Sequence, residues 1–326
     1  MAKVTVLMAV YNAEQWLPKS LASILSQTLD DIQIVCVDDA STDRSLSILY
    51  DYAGEDSRIE VIKLSENHGQ AHARNVGLQR AVGDYVCFLD ADDWLSRDAL
   101  EQAVSVYEQY PNTDSVLFRV IYVTNGAEVE YPMKPFDVLS GYEAFMRSID
   151  WDIHGVYMVR TSIHQQHPYD ETCRSYSDDN TTRIHYLLSS EVRCCQGIYY
   201  YLQHSSSTTH QVSVHRFDYL RANESMRQQL IELKVGQDVI ARYENVRWLV
   251  LVDCYMFYHV HGRELSVEER RYGLSELRRV WQTIDRSLLE KKTIAKFGYR
   301  PCGSWRLFRL QEWLYFTIRG FLGKNR

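Results

Sequence analysis

The sequence predicts an α/β fold in which a mainly parallel sheet is covered by helices and followed by a helical C-terminal region. Three observations carry this. Short apolar, β-branched runs recur at Val4 to Val10, Ile32 to Val37, Ile59 to Lys63 and Tyr85 to Leu89, helical patterns separate them, and from about Phe217 the pattern turns helical and stays so. Regular alternation of short strands with helices is the signature of parallel strands joined by crossover helices.

The helical patterns differ in strength. Trp16, Leu17, Leu21, Ile24 and Leu25 share one face, Leu46, Leu49 and Tyr50 share another, and Ala73, Val76 and Leu78 fit a third more weakly. A further strand is expected over Ser115 to Val123, then a Pro-containing loop and a helix whose start, Ser140-Gly141-Tyr142-Glu143, has capping-box spacing. Residues 151–182 are polar and histidine-rich. A boundary near 215 divides a sheet domain, 1–215 with halves 1–110 and 111–215, from a helical region, 216–326, in which Val246 to Val260 is strongly apolar and 264–292 is rich in charge.

With 326 residues and 45% hydrophobic content, the chain is large enough for a full core. A formal charge of -7 gives no general reason to bind nucleic acid. Seven scattered cysteines include no Cys-x-x-Cys pair, which suggests neither a disulfide framework nor a zinc site and fits a reducing cytoplasm. The N-terminus lacks a signal-peptide layout, and no stretch reaches the ~18–20 apolar residues that span a bilayer, so a cytoplasmic chain is expected. The tail, 304–326, interleaves Trp305, Leu307, Phe308, Leu310, Trp313, Leu314, Phe316, Ile318, Phe321 and Leu322 with arginines and lysine. That composition suits a helix lying on the inner face of the membrane, and equally a terminal helix docked on the core.

In such a sheet, ligands sit beyond the carboxyl ends of the strands, and the polar residues there are Tyr11-Asn12, Asp38 to Asp43, Asn67-His68-Gly69 and Asp90-Ala91-Asp92-Asp93. The last group follows an apolar strand directly, so its carboxylates are held close together on a rigid end, where they repel unless a cation neutralises them. Oxygen-only ligands favour Mg²⁺ or Mn²⁺ completed by phosphate oxygens and water, and a diphosphate ligand would fit. Taken alone, Asp90 or Asp93 would equally serve to cap a helix beginning near Ser96. Asp38-Asp39 adds a second acidic pair on the same edge, while Ser41 to Asp43 read mainly as helix capping.

Ala9-Val10-Tyr11-Asn12, Asp38-Asp39-Ala40-Ser41-Thr42-Asp43, Asn67-His68-Gly69 continuing to Ala73-Arg74-Asn75-Val76-Gly77, and Asp90-Ala91-Asp92-Asp93 resemble, in order and spacing, the family 2 glycosyltransferases of the GT-A fold. The resemblance is strong over residues 3–110 and looser to about 210. It implies a Rossmann-like sheet, a nucleotide-sugar (UDP-sugar) donor, a sugar or lipid-linked glycan acceptor in surface-polysaccharide assembly, and a divalent cation, Mn²⁺ or Mg²⁺. By the same resemblance, residues 1–110 form the donor half and 111–215 the acceptor half. Ala9, Val10, Tyr11 and Asp39 would embrace the base, with Asn67, Gly69 and Ala91 beside the nucleotide, Asp90 at the ribose and Asp92 on the metal. Arg74 would lie near the diphosphate or pair with an edge carboxylate such as Asp39 or Asp90.

The general base of the family is an acidic residue opening a helix. Here the matching text is Tyr176-Ser177-Asp178-Asp179-Asn180, which nominates Asp179 as base and Asp178 as its acceptor-side neighbour, although the same residues suit helix capping. Inversion at the anomeric carbon follows. The arginine that many relatives carry after the last strand is absent from Tyr200 to His210, leaving His204, Ser206 and Thr208 as substitutes toward phosphate or metal. Trp151 and Tyr157 suit an acceptor-sugar platform or a core role. A nucleotidyltransferase reading lacks a Gly-rich loop after the first strand, and a catalytically silent nucleotide-binding module is the reading from another class.

Overall fold

A computed structural model describes residues 2–173, 176–204 and 212–324. The chain forms two compact units: Met1–Glu171 with Thr181–Ser207, and Thr172–Asn180 with Thr208–Arg326.

The first unit opens with alternating strands and helices: β1 (Val4–Val10), α1 (Leu17–Leu25), β2 (Ile32–Asp38), α2 (Ser45–Glu55), β3 (Ile59–Lys63), α3 (Gln70–Leu78) and β4 (Tyr85–Phe88). It continues through β5 (Trp94–Leu95), α4 (Ala99–Gln109), β6 (Thr113–Thr124), β7 (Ala127–Glu130), β8 (Leu139–Ser140), α5 (Gly141–Ile149), β9 (Tyr157–Arg160), α6 (Thr161–Gln166), α7 (Asp178–Leu188) and β10 (Glu191–Leu202). Helix α7 starts on residues of the second unit and ends in the first.

The sheet runs β3-β2-β1-β4-β9-β6-β10-β5, with β7 on β6 and β8 on β10. Strands β1 to β4 are parallel, and Val10 lies opposite Asp38. The antiparallel β9 between β4 and β6 closes the parallel block. Val4, Val6, Met8 and Val10 point to one face, with Leu17, Leu21, Ile24 and Leu100, whereas Leu7, Val35, Val37 and Val86 point to the other, with Ala73, Leu78, Ala144 and Tyr186. Both faces are covered, which is why these strands read as continuous apolar runs in sequence. From β1 the order runs outward to β2 and β3 and then returns to β4 on the opposite side, so the loops after β1 and β4 diverge and open a crevice at their carboxyl ends.

The expected capping box is present: Ser140 accepts from the Glu143 N-H and the Glu143 carboxylate accepts from Ser140. Of the second helical pattern, Leu49 is buried while Tyr50 is exposed. Tyr157 takes the core role of its two sequence readings: it is 4% exposed and its hydroxyl lies 2.6 Å from His185 Nδ1.

The second unit contains α8 (Asp218–Glu232), α9 (Gln237–His261), α10 (Val267–Thr283) and α11 (Trp305–Phe321), packed on Phe217, Trp248, Leu251, Leu277, Trp281, Phe308 and Phe316. Helix α11 is therefore docked through Phe308 and Phe316, while Leu307, Leu310, Trp313, Leu314, Ile318 and Phe321 on its outer side stay exposed. The docked-helix reading of the tail is thus met on its inner face. Glu312 lies on the docked face, fully buried, with one oxygen accepting from Gln311 Nε2, and burial raises its carboxyl to about 8. Folded chain thus keeps a proton that unfolded chain releases near pH 4.5, so stability falls as pH rises from there to about 8, by at most ~1.4 kcal/mol per unit. Glu312→Gln, which keeps the shape of the protonated acid, is expected to raise the melting temperature by several degrees at pH 8 and hardly at all at pH 5. An unchanged melting temperature at pH 8 would contradict this protonation state.

Candidate functional site

The crevice is built from three loops stitched together by side chains. Asn12 takes a left-handed backbone, φ 49°, and its Oδ1 accepts from the Thr42 N-H at 2.8 Å. In return, Ser41 Oγ accepts from Asn12 N, Ser45 Oγ from Ala13 N and Asp43 from Glu14 N. Asp43 also accepts from Ser45 N at 2.9 Å, but the N-cap of α2 is Arg44, without a side-chain cap, and Ser41 and Thr42 bond the loop after β1, which corrects the reading of Ser41 to Asp43 as mainly capping. The loops after β1 and β2 are thereby one rigid lip, and Tyr11 stands half exposed on it.

Asp39 fastens the third loop. It is 2% exposed; Oδ1 accepts from His68 N and Oδ2 from Gly69 N, both at 2.8 Å, and Asn67 Nδ2 donates to its carbonyl. Gly69 has φ +93°, a conformation costly for any residue with a Cβ, and from there α3 begins. Asn67 thus meets Asp39 through its side-chain amide and Gly69 through its backbone N-H, and together they hold the loop. Each carboxylate oxygen that accepts one N-H keeps a second lone pair. Its neighbour Asp38 is fully buried: Oδ2 accepts from Ser41 N at 3.2 Å, and Oδ1 has no hydrogen-bond partner among the described residues.

Helix α3 delivers Arg74 under the acidic cluster. Its guanidinium is 2% exposed, donates to Asp90 Oδ1 and lies 4.1 Å from the centre of the Phe88 ring. Gln70 Nε2 donates to the same oxygen at 2.9 Å. Of the two sequence readings of Arg74, the structure displays the ion pair with Asp90.

The three carboxylates after β4 have separate surroundings. Asp93 is buried; its oxygens accept from the Tyr199 hydroxyl and the Leu202 N-H, both at 2.7 Å, tying the cluster to β10. Burial first, then the charges of Asp90 and Asp92, hold its carboxyl well above the ordinary range. Neither Asp90 nor Asp93 caps the following helix, which starts only at Ala99 with Asp98 at its N-cap. Ala91 is buried between them. Asp92 reaches outward, and its Oδ2 lies 2.9 Å from His204 Nε2. Burial and then the charge of Asp90 raise its carboxyl, with the His204 contact opposing. His204 stacks on Trp16, ring centres 4.4 Å apart and 19° between planes.

Trp16 packs half-buried against the core, as its helical pattern predicts, and its stacking on His204 beside Asp92 is the contact that sequence reasoning missed. It occupies the N-cap of α1, and nothing in the local pattern distinguishes a Trp at a helix start from one on its buried face. Ser206 and Thr208 lie outside the described residues.

Trp151, 52% exposed with φ 59°, has the Arg183 guanidinium 5.3 Å from its ring centre. In the second unit, exposed Asp178 and half-buried Asp179 open α7, Tyr176 stacks on Tyr219 at 3.7 Å, and the Tyr219 hydroxyl is pushed up by burial and then by the charge of Asp179.

Among the described residues no three His, Cys, Asp or Glu side chains converge as a self-sufficient metal cage. A carboxylate crowded against like charge, with its electrostatic strain offset by one histidine, nevertheless fits a divalent cation that takes one or two protein oxygens and draws its other ligands from phosphate and water.

The family model for glycosyl transferase family 2 matches residues 5–167, half of the chain. This protein belongs to glycosyl transferase family 2. An uncharacterized glycosyltransferase of Haemophilus influenzae is 39% identical over 105 residues, 32% of this chain and 42% of that protein. The teichoic acid poly(glycerol phosphate) polymerase of Staphylococcus epidermidis is 38% identical over 119 residues, 36% of this chain and 16% of that one. The chain thus spans less than half the length of these curated relatives. Over 99% of the chain and 92% of its counterpart, the structure superposes on S. aureus TarS 1-349 in complex with UDP-GlcNAc, with a TM-score of 0.76 at 19% identity, a likeness of fold that identifies this family 2 member as GT-A.

Proposed function

We propose that this family 2 member is an inverting glycosyltransferase that moves a sugar from a UDP-sugar to an acceptor hydroxyl in surface-polysaccharide or lipid-linked glycan assembly. The observation that supports it most is one edge on which the Asp39-fastened loop, Tyr11 and the Asp90 to Asp93 cluster come together at the carboxyl ends of β1, β2 and β4. The complex of TarS with UDP-GlcNAc, on the same fold, adds support for the donor class.

In this reading Tyr11 and the Asp39 loop hold the uracil, with Ala9 and Val10 beneath it, and Asp90, steadied by Arg74, faces the ribose. Asp92 and His204 would hold Mn²⁺ or Mg²⁺, which when bound supplies positive charge to the diphosphate leaving group. Trp151 and Asp178 serve the acceptor, and Asp179 takes the proton of the attacking hydroxyl. The chain works at the inner face of the membrane, with 304–326 as its contact.

A thermal-shift screen of nucleotide-sugars tests the assignment, because a ligand that binds only the folded state raises the melting temperature. UDP-sugars with Mn²⁺ are expected to raise it by several degrees and to lose most of that effect in EDTA. The reading fails if no UDP-sugar shifts the transition with the cation present.

A further inference from the structure

The second unit carries an open groove of about 1370 Å³ walled by the end of α9, by α10 and by α11. Arg263, Arg270, Arg271, Arg278, Arg306 and Arg309 line it, and no acidic side chain does. Arg279 is also on the wall but is engaged by Glu224 and Glu276 at 2.6 and 2.7 Å. The other six form no ion pair among the described residues. In a chain with 36 basic and 43 acidic residues, so one-sided a wall is not a consequence of composition. Guanidinium groups that share a groove without counter-charge repel one another until an anion enters, and their planar fork matches phosphate oxygens.

A second feature adjoins it. Leu307, Leu310, Leu314, Ile318 and Phe321 follow at three, four, four and three residues, forming one exposed stripe along α11, with Phe321 89% exposed. Trp313, half exposed, lies on the groove wall beside that stripe. Helix α11 therefore has three faces: Phe308 and Phe316 pack inward, Arg306, Arg309, Leu310 and Trp313 line the groove, and Leu307, Leu314, Ile318 and Phe321 are bare. A soluble polyanion would use the arginines and leave the stripe in water. A second copy of the chain would cover the stripe while bringing one set of unpaired arginines toward another. A negatively charged bilayer satisfies both at once, taking the stripe at the headgroup-acyl boundary, Trp at headgroup depth and guanidiniums on phosphates.

We propose that this groove binds the phosphate groups of anionic phospholipids, with the stripe of α11 seated in the bilayer surface. This rests on the membrane-surface reading of 304–326 and adds the headgroup site, its residues and its chemistry. The test is flotation of the full chain with phosphatidylcholine vesicles, with and without phosphatidylglycerol. Two variants are compared: Arg271→Gln/Arg278→Gln/Arg306→Gln, all exposed positions, and Leu307→Ser/Leu314→Ser/Ile318→Ser, off the groove wall, each checked for an unchanged melting transition and UDP response. Wild type is expected to float with phosphatidylglycerol and to be released by salt. At about a factor of five per charge, the arginine variant should bind roughly 100-fold more weakly, and the stripe variant should lose the vesicles as well. An arginine variant that keeps full preference for phosphatidylglycerol while the stripe variant loses it overturns the groove and leaves the membrane reading standing. Wild type that ignores vesicles overturns both; if it then binds soluble polyphosphate, the occupant is a soluble polyanion, and if the stripe substitutions convert dimer to monomer in light scattering, the occupant is a second copy.

Discussion

Asp92→Ala is expected to erase the difference between UDP binding in Mn²⁺ and in EDTA and to lower sugar transfer by about 100-fold or more, the scale on which removing charge stabilisation from a transfer site acts. The reason lies in how unequal the three carboxylates are. Asp93 spends its oxygens on Tyr199 and Leu202, and Asp90 is paired with Arg74, so both are committed within the protein. Asp92 alone of the three turns its carboxylate to a histidine, and burial beside Asp90 disfavours its charge. Removing its carboxylate should therefore cost cation-dependent affinity more than stability. Asp93→Ala makes the contrast: it leaves a buried tyrosine hydroxyl and a backbone N-H without their acceptor, and should lower stability by about 1–3 kcal/mol. Titration calorimetry of both variants checks this; an Asp92→Ala chain whose UDP affinity still depends on Mn²⁺ would remove Asp92 from the metal.

Asp179→Asn should abolish transfer by a factor of about 10²–10⁴ while UDP binds as before, since Asn keeps the shape and loses only the capacity to accept the proton. Asp178→Asn, one residue earlier on the same helix start, should cost much less. A fall in UDP affinity parallel to the fall in rate would instead assign Asp179 to the fold, and transfer near the wild-type rate would return the base to another residue.

The strands of the parallel block are legible in sequence because burial on both faces leaves no alternation to confuse: the runs beginning at Val4, Ile32, Ile59 and Tyr85 all start strands there. The capping box at Ser140 is equally legible, since its hydrogen bonds close within four residues. Tyr157 was not, because an aromatic with a polar tip looks alike whether it faces a sugar or a buried histidine. Partnerships across the sheet were also hidden. Nothing near Asp93 announces Tyr199 or Leu202, over a hundred residues away, and nothing near Trp16 announces His204. The grouping of Thr172–Asn180 with the C-terminal helices likewise has no local signature, since the stacking of Tyr176 on Tyr219 joins residues far apart in sequence. The arginines of the groove are spread over α10, α11 and the turn before α10, and only the packing of the helices gathers them.

The donor site is tested most directly by a crystal structure of the protein soaked with UDP and Mn²⁺. Uracil is expected against Tyr11 and the Asp39 loop, ribose at Asp90, and the cation between the diphosphate and Asp92. Nucleotide bound only elsewhere, the arginine groove included, or density at this edge with no contact to Asp92, would contradict the assignment.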